Sequence, residues 1–181
     1  MARIEDVRRE KLSPRQQQLH DDFLRSRPRS TLTGPFAVLI HTPDIAEPAD
    51  ELVNYFRQKS KIGRRLVELV ILLMVRQAKV QYAWCVHEPQ ALEHGLTQDV
   101  IDAIRAGKRP DFKRDDERLV YDFIAELSAS KTVSAATFDR AKAALGLEGV
   151  IELVSLAGLY GMIGLVLNVF DIPPVSGRPL A

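Results

Sequence analysis

One cysteine and one tryptophan are all that the 181 residues contain of either type. A lone thiol, Cys85, excludes an internal disulfide and any cluster of thiolates around a metal. Net charge is almost absent too. Twenty-five Lys and Arg against 24 Asp and Glu leave +1, so no large field draws the chain to nucleic acid or to an anionic membrane. There is no glycine-rich phosphate loop, because the glycines of "GLYGMIG" have the wrong spacing and do not follow a strand. No strand of useful length is visible. Runs such as "LVILLMV" lie inside segments of helical length without turn signals. The opening "MARIEDVRREKLS" is too charged for a secretion signal. With no disulfide, this predicts a cytoplasmic location.

What is present is ordinary for a soluble globular protein: 46% hydrophobic and 27% charged residues, at a length that suits one domain with one sizeable core. The periodicity is helical throughout, which predicts an all-α, single-domain bundle. Ser13-Pro14 opens a helix, and Thr42-Pro43-Asp44 opens a second after a loop with a short apolar insert. Further helices are expected over 63–80, over 82–94 closed by Gly95, and from Thr97 to Ala106. Another follows in "DDERLVYDFIAELSAS", with its acids where the helix dipole favours them. Ser134 caps a short amphipathic helix that Gly146 stops. Residues 1–30 read as an N-terminal helical arm, 31–174 as the helical domain and 175–181 as a Pro/Gly tail that wraps a neighbour or frays.

The run "LVSLAGLYGMIGLVLNVF", residues 153–170, is about long enough to span a bilayer. Ser155, Tyr160 and Asn168 interrupt it, and no Lys/Arg cluster at either end sets a topology. We therefore expect a soluble, fully buried helix and no membrane. A helix apolar on all sides needs cover that one small domain barely provides, so the run predicts a homo-oligomer.

Two places could carry chemistry. In "QYAWCVHEPQALEHGLT", His87 is an imidazole in a mostly apolar helix, which either makes a core hydrogen bond or serves as an acid or base. Cys85 lies two residues before it, about 200° around the helix, so the two point to nearly opposite sides and make a poor nucleophile pair. As residues read singly, Cys85 is a small buried hydrophobe and His87 a structural histidine. The other histidines, at 20, 41 and 94, show no ligand spacing with His87, so no metal is expected. Glu68 interrupts "LVELVILLMV". A buried carboxylate is costly unless paired, and Arg64 and Arg65 lie one turn before it, an ordinary helix pair. Arg76 lies eight residues on.

Glu68 stands nineteen residues before His87, and Gly95 eight after. In that order the stretch from Gly63 to Gly95 resembles the core of the carboxymuconolactone decarboxylase family, which includes alkylhydroperoxidase D. The segments "GPFAVLIHTPDIAEPADELVNYFR", "VRQAKVQYAWCVHEPQALEHGL", "DERLVYDFIAEL" and "GLYGMIGLVLNVFDIP" extend the likeness, to an uncharacterised subgroup, over roughly residues 30–174. The resemblance implies an alkylhydroperoxidase D-like helical bundle, assembled as a trimer or hexamer. The peroxidase branch carries cysteines four and seven residues before the histidine, where this chain has Ala83 and Val80. One thiol cannot close that branch's disulfide cycle. The subgroup usually has Glu-Trp before the histidine, and this chain has Ala83-Trp84.

Three functions follow. The first, implied by the resemblance, is a cofactor-independent decarboxylase-like enzyme acting on a small oxygenated acid or lactone. In it His87 would shuttle the proton, Glu68 would set its state, and Arg76 would hold a carboxylate. Tyr82, Trp84 and Asn168 would complete the substrate site. The second is a thiol peroxidase working through Cys85 alone. The third is a non-catalytic helical oligomer that binds a small ligand. None calls for a cofactor, nucleic acid or membrane.

Overall fold

A computed structural model describes residues 2–27, 31–175 and 177–180. Among them are eight α-helices and a short 3-10 turn, Arg9–Lys11, with no strand. Helix α1 (Pro14–Ser26) starts on a capping box: the Ser13 hydroxyl accepts from the Gln16 amide, and the Gln16 side chain accepts from the Ser13 amide. The expected loop before residue 43 holds a short helix, α2 (Pro35–Leu39). Helix α3 (Pro43–Gln58) follows directly.

The centre is α4 (Arg64–Gln77). Residues 66–72 of it are all buried, and it packs against α5 (Gln81–Glu93), α6 (Gln98–Arg105), α7 (Asp115–Ser130) and α8 (Ala135–Val169). Between α4 and α5 the chain reverses in three residues. Lys79 takes φ 54°, and the Val80 amide bonds back to the Val75 carbonyl at 2.9 Å. The start of α4 therefore meets the end of α5, where Arg64 reaches Gln90 and His94.

Helix α8 runs on through Gly146, which alone within it leaves helical geometry, at φ 71°. The expected stop is thus a local break and not an end. Asn168, near the far end of α8, bonds the Ala78 carbonyl at the end of α4, so the two helices run side by side in one direction.

Two expectations need correction. Helix α8 is long and apolar enough to cross a membrane by length and composition, and 56% of its most apolar window is buried inside the fold. It is not buried on all sides. Its Leu147, Ile151, Val154, Leu165 and Val169 are exposed, because α4 and α7 cover one side only. The described end of the tail, residues 177–180, docks on its own chain. Arg178 pairs with Glu88 of α5 and Asp102 of α6, and Arg105 donates to the Pro179 carbonyl. The Leu180 amide bonds the Gln81 side chain at 2.8 Å, and the Leu180 side chain is buried.

Candidate active site

The α4–α5 reversal brings the two polar interruptions of these helices face to face. Glu68 is fully buried, with 0% of its surface exposed. A carboxylate there persists only if its charge is met on site. It is met twice: Arg64 Nη2 donates to Oε1 at 2.5 Å, and His87 Nδ1 lies 2.8 Å from Oε2. The other nitrogen of the ring, Nε2, is 3.1 Å from the Tyr160 hydroxyl on α8, and the two rings meet edge-on at 5.2 Å. Burial first, and then the charge of Glu68, push the Tyr160 phenol well above its ordinary pKa. It therefore stays protonated and is able to donate to His87 Nε2. When the phenol donates there, the ring proton sits on Nδ1, facing Glu68.

This line of four, Arg64–Glu68–His87–Tyr160, ends on the wall of a cavity of about 370 Å³. His87 and Tyr160 reach it from α5 and α8. Phe36, Ile163 and Leu167 give it apolar surface, and Arg27 and Arg57 reach it from α1 and α3. The His87 side chain is 14% exposed, so a small molecule can touch the ring. Tyr82 separates this cavity from a second, larger one of about 640 Å³ beneath the N-terminal arm, and Thr33 lines both. The Tyr82 hydroxyl and the Thr33 hydroxyl are 2.9 Å apart. The ring packs against Gly34, which takes φ +63°, and a Cβ there would sit 2.4 Å from the ring. Only glycine meets both demands.

The other residues singled out in the sequence lie elsewhere. Arg76 does not line the cavity, because its Nε donates to the Arg105 carbonyl at 2.7 Å. It stands roughly 12 Å further along α4 than Glu68. Trp84 is fully enclosed in the core, and its indole N–H donates to Glu88 at 3.2 Å. Asn168 caps the α4 end through the Ala78 carbonyl. Cys85 faces the opposite side of α5 from His87, beneath Gly177, where burial and the charge of Glu88 raise its pKa. Ala83 and His87 do share the cavity wall. Among the described residues no group of three or more His, Cys, Asp or Glu could hold a metal.

Sequence reasoning passed over Tyr160, Arg27 and Arg57. For Tyr160 there was a signal, a hydroxyl in the most apolar run of the chain. For the two arginines there was none, since an arginine on an amphipathic helix is commonplace.

The chain matches no protein-family profile and no curated protein. It is similar to solved structures. One is an uncharacterised peroxidase-related protein with an alkylhydroperoxidase AhpD core from Ralstonia eutropha JMP134, at TM-score 0.78 and 15% identity over 97% of this chain and 93% of that one. Another is an uncharacterised peroxidase-related protein from Silicibacter sp. TM1040, at 0.76 and 11% over 97% and 92%. A third is a protein of unknown function from Agrobacterium tumefaciens, suggested to be an antioxidant defence protein AhpD, at 0.66 and 13% over 77% and 96%. The fold of this chain is thus AhpD-like.

Proposed function

We propose that this chain is a cofactor-independent acid–base enzyme of the carboxymuconolactone decarboxylase-like kind, acting on a small oxygenated acid or lactone. The observation that carries the reading is the line from Arg64 through Glu68 and His87 to Tyr160, ending on a cavity wall. When His87 Nε2 takes a proton from substrate carbon, the Tyr160 hydroxyl is released from that nitrogen. It can then donate to the oxygen on which negative charge develops. Glu68 holds the imidazolium at Nδ1–H, and Arg64 donates to the other oxygen of Glu68. The test is a panel of small lactones and keto acids in D₂O, followed by proton NMR. Exchange or loss of a carbon-bound hydrogen supports the reading. A panel left untouched sinks it and leaves a helical ligand-binding oligomer.

A second reading, a thiol peroxidase, draws support from the peroxidase-related names of the structural neighbours. It would oxidise Cys85 to a sulfenic acid as the peroxide O–O bond breaks, with an external thiol as reductant. The chemistry at Cys85 is poor for this. The thiolate is disfavoured, and Gly177 covers the sulfur. Under mild peroxide excess we expect the intact mass at Cys85 to stay unchanged. Stoichiometric gain of one oxygen atom there would restore the peroxidase.

The same reading includes a cytoplasmic homo-oligomer, trimer or hexamer, with no nucleic-acid or membrane partner. Leu147, Ile151, Val154, Leu165 and Val169 are exposed on α8, and they fall within about 60° of one another around its axis. Gly158 and Gly161 lie on that stripe, and a Cβ added to either would meet nothing within 4 Å. A contiguous exposed apolar strip of this kind is rare on a monomer. Mass measurement in solution should return an oligomer for the native chain and a monomer for the Ile151→Glu, Leu165→Glu double variant. A monomeric native chain would remove the proposal.

A further inference from the structure

The cavity wall carries positive charge and no acid. Arg27 and Arg57 line it, and among the described residues no Asp or Glu does. Two of the nearby guanidinium groups are already answered. Arg64 is held by Glu68, and Arg27, itself buried, pairs with Asp50 at 2.7 Å while stacking 4.2 Å from the Phe23 ring centre. Arg57 is different. It is exposed at the C-terminal end of α3, and among the described residues no hydrogen bond or ion pair engages it. Its charge is nevertheless felt inside the site, where it favours ionisation of the Tyr160 phenol, against the larger effect of burial. An unanswered guanidinium beside an apolar cavity is a ready partner for a planar anion, which it can grip through two parallel N–H donors.

We infer that Arg57 sets the charge specificity of the cavity. It grips the carboxylate of a small organic acid whose apolar body lies against Phe36, Ile163 and Leu167, with the reacting end at His87. The role given to Arg76 on sequence grounds thus passes to a residue of another helix. The position of the reacting end rests on the acid–base reading above, whereas the binding preference does not.

The experiment is calorimetric titration of the full chain with benzoate and with benzamide, its neutral counterpart of nearly equal shape. Benzoate should bind on the order of tenfold more tightly. Arg57→Gln should erase that preference and leave benzamide affinity where it was, while Arg57→Lys should keep part of it. Unchanged thermal midpoints establish that both variants are folded. Equal affinity for the two probes, no binding of either, or a preference that survives Arg57→Gln each overturns the inference. The two readings fail separately. Arg57-dependent benzoate binding with no hydrogen exchange on any panel member would sink only the acid–base enzyme. Exchange whose KM for acids is the same in Arg57→Gln as in the native chain would sink only the role of Arg57.

Discussion

Replacing His87 with alanine should lower turnover of any substrate found by about 10² to 10⁴-fold, the range that a positioned acid or base contributes. A thermal melt of the variant separates this loss from the cost of leaving Glu68 and Tyr160 each one partner short. The ring is partly exposed and sits at the cavity wall, and Glu68 keeps Arg64 as a partner after its removal. The pH profile gives a second reading of the same variant. An imidazole acts as a base only when unprotonated, so the native rate must fall on the acid side, and the small residual rate of the variant should lack that limb. Tyr160→Phe should cost about 10²-fold if its hydroxyl stabilises a developing oxyanion. A His87→Ala protein that turns over substrate at the native rate would leave the cavity as a binding site alone.

The largest expected effect on stability lies at Glu152, on the inner face of α8. This carboxylate is buried and receives donors from the last turns of α3 and from the segment that joins it to α4. The Tyr55 and Ser60 hydroxyls donate at 2.5 Å each, and the Lys61 and Ile62 amides lie within 3.4 Å. Glu152→Ala leaves those groups without their acceptor, so we expect a loss of about 3 kcal/mol. In a thermal melt this is a drop of roughly 6–12 °C for a chain of this size. Burial works to raise the pKa of Glu152, but the hydrogen bonds outweigh it, and the folded-state value lies below the ordinary 4.5. The unfolded chain then binds this proton more readily. The contribution is complete above 4.5 and is lost as pH falls below that value through the lower folded one. The native chain should therefore weaken in acid more steeply than Glu152→Ala. Parallel pH–stability curves for the two would show that the carboxylate is no anchor.

Glu152 also shows what could and could not be read without coordinates. In the sequence it is one charge just before the apolar run 153–170. That it points inward and fastens a loop depends on where α3 ends relative to α8, which no local pattern encodes. Glu68 and His87 were legible because each is a polar interruption of a helix otherwise built for the core. Their meeting was not, since it depends on the reversal at Lys79. Arg76 was misplaced because helical periodicity returns it to a related face while carrying it along the axis to another neighbour. The helices themselves were legible from Ser13, Pro14, Gly95 and Ser134, which act within a few residues of their own position. The exposed stripe of α8 was not, because a uniformly apolar sequence does not say which side one chain leaves uncovered. The docking of Arg178 and Leu180 depends on partners some ninety residues away.

That docking has a practical corollary. Trp84 is the only indole in the chain, and its N–H is held by Glu88, the same carboxylate that Arg178 grips from outside. Among the fluorescent side chains, one tryptophan and four tyrosines, the indole alone absorbs at the red edge of the band, and it is one residue removed from the final segment, on the side of α5 away from the cavity. Emission excited at the indole band should shift when the segment lifts, so the molecule carries its own label-free gauge of that movement.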